Sequence, residues 1–207
     1  MRELVHAGVR GAVRWTFISV ALSAGLLASA PASAQAYAMR DVEGWTVAAS
    51  KDKRGCFLTR TYEGAGGTTL LLGLDIDGSN RLSVLNDNWS IKRMDRLKLN
   101  FRLSSGGYSR QQVVGIESDG KKGFVTNFET KFPDYFAASK ALHISRGDVP
   151  VEQLSLEGSG AAVAELRRCV GMYAAKAVAG AREKGRSDQI PRDPFAPDAK
   201  RKSREKR

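Results

Sequence analysis

From Leu97 to Leu103 the chain alternates strictly: Leu97, Leu99, Phe101 and Leu103 are apolar, while Lys98, Asn100 and Arg102 are polar. A period of two puts all four apolar side chains on one face, the mark of a strand buried on one side and wet on the other. Leu70, Leu72, Leu74 and Ile76 do the same against Thr69, Gly73 and Asp75, with Leu71 an apolar intrusion on the second face. Trp45 with Val47, and Leu82 with Val84, are shorter cases. Turn residues separate these runs: Asp77-Gly78-Ser79-Asn80, Ser104-Ser105-Gly106-Gly107 and Ser118-Asp119-Gly120. Glycine after aspartate supplies the positive φ that tight hairpins need.

The period changes twice. Asp134, after Pro133, is placed to cap a short helix through Tyr135, Phe136 and Ala138. A longer helix starts near Ser159, where Ala162, Leu166, Cys169, Val170, Tyr173 and Ala177 fall on one stripe with Glu165, Arg167, Arg168 and Lys176 mostly off it. The pattern predicts a mainly β (α+β) fold: an antiparallel β-sandwich or curved sheet of about seven to nine short strands, with a C-terminal helix packed on it. Residues 35–179 form its single β-rich domain, long enough for a self-sufficient core.

Both ends depart from this pattern. Arg2, Arg10 and Arg14 precede an apolar run from Trp15 to Leu27, and Ala32-Ser33-Ala34 follows as a small-x-small exit. Basic start, short apolar core and small-residue exit are the signature of a secretory signal peptide over residues 1–34. Cleavage is expected after Ala34, with Ala36-Tyr37-Ala38 as a second site. The run is shorter than the roughly 20 apolar residues of a spanning helix, and no second run follows, so no transmembrane segment is expected after cleavage. No cysteine stands at the cleavage point to carry a lipid. The protein is therefore expected to be periplasmic or secreted.

Residues 180–207 turn to Lys, Arg, Asp, Pro and Ser, with only Ile190 and Phe195 able to bury much surface, and are expected to be a disordered basic tail. The formal net charge is +11. Ten Lys or Arg against five acids lie in residues 180–207, leaving the body only mildly basic. Lys200, Arg201, Lys202, Arg204, Lys206 and Arg207 are the residues expected to contact an anionic envelope polymer, lipid or protein. Outside the cytoplasm, nucleic acid is not an expected partner. The plainer reading is a solvated tail that keeps the protein soluble.

Cys56 and Cys169 are the only cysteines. In an oxidising compartment two cysteines of a small exported domain usually pair. The competing reading is two separately buried thiols. Catalytic and metal chemistry finds little to work with. His143 is the only histidine left after signal removal. It could join Ser145 or Asp148 in a triad, but local proximity does not provide converging geometry, and Leu142-His143-Ile144 reads as strand. Asp75 to Asn80 begins like a calcium loop, yet position six is Asn80 and position twelve Asn86. Gly66-Gly67 and Gly106-Gly107 lack the strand-then-helix setting of a phosphate loop. Glu117, Asp119, Glu129 and Asp134 offer carboxylates for glycoside chemistry without a spacing that selects a pair. Trp45, Trp89, Tyr108, Phe124 and Phe128 either line a groove or build the core. Lys92, Arg93, Arg96 and Lys98 form a basic patch beside Trp89, read as a phosphate or acidic-polymer contact or as a strand edge charged against pairing. No catalytic residue, metal site or cofactor is singled out.

Gly44-Trp45-Thr46-Val47, then Cys56-Phe57-Leu58, and later Val151-Glu152-Gln153-Leu154-Ser155-Leu156-Glu157-Gly158-Ser159 leading into Ala161, Ala162, Ala164 and Leu166, form an order of features spanning most of the body. This order resembles that of bacterial exported proteins of the invasion-associated locus B type and their uncharacterised relatives. The resemblance implies a small, mostly β, periplasmic or surface-associated protein with no established enzymatic activity; the family's additional cysteines have no counterpart here.

These observations lead to a non-enzymatic binding or scaffolding protein at the cell envelope. Two other classes stay open: an envelope polysaccharide or peptide hydrolase using carboxylates, and an inhibitor or accessory subunit of an envelope machine.

Overall fold

The alternating runs become strands of one antiparallel sheet. The computed structural model describes residues 37–188. In chain order the elements are β1 (Arg40–Val42), β2 (Trp45–Ala49), β3 (Gly55–Thr61), β4 (Thr69–Asp75), β5 (Asn80–Asn86), β6 (Arg96–Leu103), β7 (Gly106–Ser118), β8 (Lys121–Thr126), α1 (Phe132–Ala137), β9 (Ala141–Arg146), β10 (Val149–Ser155) and α2 (Ser159–Asp188). The ten strands lie in the order β1-β2-β3-β4-β5-β8-β7-β6-β9-β10. The segment β6–β8 is thus laid in reverse, with β8 beside β5 and β6 beside β9.

The sheet is a single curved layer, not a sandwich. Its two ends approach without ladder hydrogen bonds and are laced by side chains instead. Tyr62 Oη donates to Ser155 O at 2.7 Å and Thr68 Oγ1 to Glu152 Oε2 at 2.6 Å. Trp45 Nε1 and an Arg60 guanidinium nitrogen both donate to Glu157 O, at 2.9 and 3.0 Å. Curling buries the alternating apolar face: Trp45, Val47, Leu58, Leu70, Leu72, Leu82, Val84, Leu99, Phe101, Leu103 and Phe124 are all buried. Each contributes about 1.5–3 kcal/mol relative to exposure for side chains of this size, with Trp larger. Ile76, assigned to the same face, lies past the end of β4 in the hairpin and is exposed.

Hairpin chemistry works as the residue types demand. Asp119 and Gly120 take φ of 52° and 79° between β7 and β8, the left-handed pair of a two-residue turn. Gly115 on β7 serves another purpose. The chain between β5 and β6 lies across it, with Met94 N bonded to Gly115 O and Gly115 N to Asp95 O, and a Cβ at Gly115 would meet Lys92 O at 2.0 Å. Only glycine lets backbone approach so closely.

The helices close the concave side. Ala162, Val163, Leu166, Cys169 and Tyr173 of α2 are buried against β2, β3 and β4, whereas Ala177, one turn further, is exposed. The helix extends to Asp188, so the tail boundary drawn at Gly180 falls within it. In α1, Lys131 rather than Asp134 occupies the N-cap position and makes no side-chain cap. Asp134 sits in the first turn, where Arg167 of α2 donates to its Oδ1 at 2.6 Å. Ten strands are one more than the upper count that periodicity suggests, and β1 and β10 are the two that it reads least well. β1 has only three residues, and β10 carries a bulge between Pro150 and Glu152 that breaks its alternation.

The segment preceding β1 is pinned to α2. Tyr37 Oη donates to Glu165 Oε1 at 2.5 Å, Arg168 forms a fork on both Glu165 oxygens at 2.6 and 2.8 Å, and Arg40 adds a second cation. The Arg168 hydrogen bonds chiefly, then Tyr37 and the neighbouring positive charges, hold Glu165 down at about 2 against burial, which opposes them. Tyr37→Phe is therefore expected to cost about 1–2 kcal/mol at neutral pH. A carboxylate depressed in the folded state stabilises fully above its unfolded pKa. This contribution declines as pH falls from about 4.5 toward 2. Denaturant titrations of both proteins across that window should show the difference closing; a difference constant with pH would mean that the phenol does not act through the Glu165 carboxylate.

Candidate functional site

The wet face of β6 is where polar groups gather. Because Leu97, Leu99, Phe101 and Leu103 point inward, Arg96, Lys98, Asn100 and Arg102 point out. Register then sets their neighbours. Arg102 stands opposite Gly107 on β7 and His143 on β9, and His143 stands opposite Gln153 on β10. One row of four strands thus reads Gly107, Arg102, His143, Gln153. In the adjacent row Asn100 faces Ser145, and its Nδ2 lies 3.4 Å from both Ser145 Oγ and Gly147 O.

These rows floor an open groove of about 1190 Å³, rimmed by the β6–β7 and β9–β10 hairpins. Its walls are Ser104, Ser109, Asp148, Pro150 and Glu152 as well as the residues above. Two bulges frame it, one in β7 opposite Asn100 and one in β10 after Pro150. A bulge bends its strand and raises the local twist, which makes an outer sheet surface concave. In the first bulge Arg110 adopts φ of 55°, and its backbone N–H donates to Asn100 Oδ1 at 2.8 Å.

The groove offers a guanidinium, an imidazole, hydroxyls, amides and the Asp148 carboxylate, whereas Glu152, opposite inward-facing Ile144, gives its carboxylate to Thr68. That set suits hydrogen bonding to a polar ligand. A Ser–His nucleophile does not assemble from it: His143 and Ser145 are two residues apart on one face of β9, so their Cα atoms are about 6.6 Å apart with parallel side chains. Asn100 is the neighbour of Ser145 Oγ.

The candidate carboxylates do not converge. Glu129 accepts a hydrogen bond from Tyr108 Oη at 3.1 Å, at one end of β7, and Glu117 lies nine residues further along that strand, roughly 30 Å. Glycosidase pairs stand about 5–9.5 Å apart. Asp119 belongs to the far hairpin, and Asp134 is engaged by Arg167. Asp77 Oδ1 accepts from Ser79 N and Oγ, which makes the calcium-like stretch a hairpin turn. Among the described residues no group of three or more His, Cys, Asp or Glu could hold a metal ion.

Of the candidate groove aromatics, Trp45 and Phe124 are buried, and Trp89 stacks on Phe124 at 5.8 Å. Phe128 packs between Phe101 and Phe132, at 5.2 and 3.9 Å. Only Tyr108 of the five borders the groove. Lys92, Arg93, Arg96 and Lys98 are all exposed. The sequence missed Arg102, Arg110, Gln153 and the groove itself; strand alternation shows which way Arg102 points but not which strands will flank it.

Cys56 of β3 and Cys169 of α2 are bonded to each other across the core, with Cα atoms 6.2 Å apart and a sequence separation of 113. Among the described residues no helix is long and apolar enough to cross a membrane. The signal-like residues 1–34 and the tail residues Lys200, Arg201, Lys202, Arg204, Lys206 and Arg207 lie outside the described residues.

No protein-family model matches the chain, and no curated protein does. Among solved structures it is similar to invasion-associated protein B from Bartonella henselae, at 14% identity and a TM-score of 0.49, covering 64% of this chain and 97% of that one.

Proposed function

We propose that this is an exported, non-enzymatic protein, periplasmic or secreted, that binds or scaffolds at the cell envelope and contacts an anionic partner through its basic tail. The observation that carries the reading is the distribution of charge. Seven of the last 19 residues are Lys or Arg against three acids, while the rest of the mature chain mixes both signs. Such a segment is drawn to anionic polymers and lipid surfaces. A disulfide across the core suits an oxidising compartment. Tyr37 favours cleavage after Ala34: that cut leaves its bond to Glu165 on the mature chain, whereas a cut after Ala38 removes it.

The test compares the mature chain with one stopped after Asp188, each sedimented with isolated envelopes at low and high salt. Tail charges are expected to hold the full chain at low ionic strength and to release it above about 0.5 M salt, where screening shortens their reach to a few ångströms. Equal retention of both chains at low salt would overturn the role given to the tail.

A further inference from the structure

The wet face of β6 carries more positive charge than a strand needs to stay soluble, and that charge is ordered. Arg96, Lys98 and Arg102 occupy alternate outward positions, about 7 Å apart along the strand except where Asn100 intervenes. At that level the β7 bulge brings in Arg110, bonded through its backbone to the Asn100 side chain. The result is a track of four cations roughly 20 Å long. All four side chains are exposed, and among the described residues none forms an ion pair. Arg110 is also conformationally costly: its φ of 55° belongs to the left-handed region, where Gly or Asn would sit more easily. The bulge and the bond from its N–H to Asn100 Oδ1 hold Arg110 in this conformation beside the outward face of β6.

The track leads into the groove, and the chemistry changes there. Beyond Arg102 the lining is His143, Ser145, Gln153, Asp148 and Glu152. Glu152 is already engaged by Thr68 and by Gln153 N. Glu152 stands opposite inward-facing Ile144 and spends its carboxylate on Thr68, so Asp148 is the carboxylate on the wet face; it repels a chain that carries a negative charge on every unit, such as a nucleic acid. It accepts hydrogen bonds from hydroxyl groups, as do the amides and serines beside it. The lining also lacks a pair of exposed aromatic rings on which bases could stack. A flat membrane cannot enter a concave groove between two hairpins.

We infer that this face binds a linear acidic polysaccharide, with carboxylate groups over Arg96, Lys98, Arg110 and Arg102 and uncharged sugar hydroxyls in the groove around His143, Ser145 and Gln153. The inference rests on the binding reading above but uses a different surface from the tail.

The test measures binding of hyaluronate, which carries a carboxylate on every second sugar only, to the full mature chain at low salt. Its comparisons are the fully methyl-esterified polymer, a single-stranded DNA of equal charge and vesicles of anionic phospholipid. Replacing Arg96, Lys98 and Arg102 together by Gln is expected to weaken hyaluronate binding at least tenfold. Neutralising the six tail residues Lys200, Arg201, Lys202, Arg204, Lys206 and Arg207 should change it less than threefold. Arg110→Gly is expected to bind more weakly while melting at the same or a higher temperature, a separation that general damage to the fold would not produce. Equal affinity of the triple variant overturns the track. DNA or vesicles bound as tightly as the polysaccharide, and lost in the same variant, overturn the choice of ligand. Loss on tail neutralisation alone overturns this face while leaving the tail reading intact.

Discussion

Replacing Cys56 and Cys169 together by Ala, or reducing the bond between them, is expected to lower the unfolding free energy by about 4–5 kcal/mol at 25 °C. The bond closes a loop of more than a hundred residues, and opening it returns that much chain entropy to the unfolded state in the loop-closure treatment. It also joins two elements from opposite ends of the domain, β3 and α2. Without it α2 keeps Ala162, Val163, Leu166 and Tyr173 as buried apolar anchors, with the buried Ser159 bonded to Phe136 O at its start. The predicted loss is a large share of a typical domain stability of 5–15 kcal/mol. Guanidinium titrations of the oxidised and doubly substituted proteins measure it, and hydrogen exchange along α2 shows where it falls. A loss below about 1 kcal/mol would mean that the reduced chain is held together in its unfolded state by other contacts.

How far the sequence could be read depends on the range of the interaction involved. Strand β6 was legible because its alternation is local and complete, and the start of α2 at Ser159 because the apolar period changes there. The hairpin at Asp119-Gly120 was equally legible, since two positive φ values demand those residue types. β10 was not. Its bulge breaks the period between Pro150 and Glu152, and its order next to β9 depends on contacts distant in sequence. The choice between a sandwich and a curved sheet was likewise closed to sequence reading. It is decided by Tyr62, Thr68 and Trp45 reaching residues more than 80 positions away.

The site was legible in fragments. Lys92, Arg93, Arg96 and Lys98 stand out as a basic cluster, but the polar rows that continue from them are assembled by the reversed placement of β6–β8. His143 reads as an isolated histidine on a strand. Only register puts it between Arg102 and Gln153. Arg110 is the least visible of all: a bulge on β7 changes which way its side chain faces, and nothing in its neighbours along the chain announces one.

Trp45→Ala is expected to destabilise the protein by about 3–5 kcal/mol, the range for removing a fully buried large aromatic side chain. Volume sets this cost more than the indole hydrogen bond does. Trp45 packs edge-on against Phe136 at 5.7 Å and Tyr62 at 6.5 Å, where β2 meets the segment leading from β10 into α2. Its Nε1 donates to Glu157 O, yet Arg60 donates to the same oxygen, so loss of the indole does not leave that carbonyl bare. Trp45→Phe, which keeps a six-membered ring but loses the donor and part of the indole volume, should cost less than Trp45→Ala, about 1–2 kcal/mol. Arg60 lies 5.6 Å from the Trp45 ring and 5.2 Å from the Tyr62 ring, so it loses one of two aromatic partners. A double-mutant cycle between Trp45→Ala and Arg60→Gln should show a coupling of about 0.5–1 kcal/mol. Equal losses for Trp45→Phe and Trp45→Ala would mean that the hydrogen bond to Glu157, and not the filled volume, holds the two ends of the sheet together.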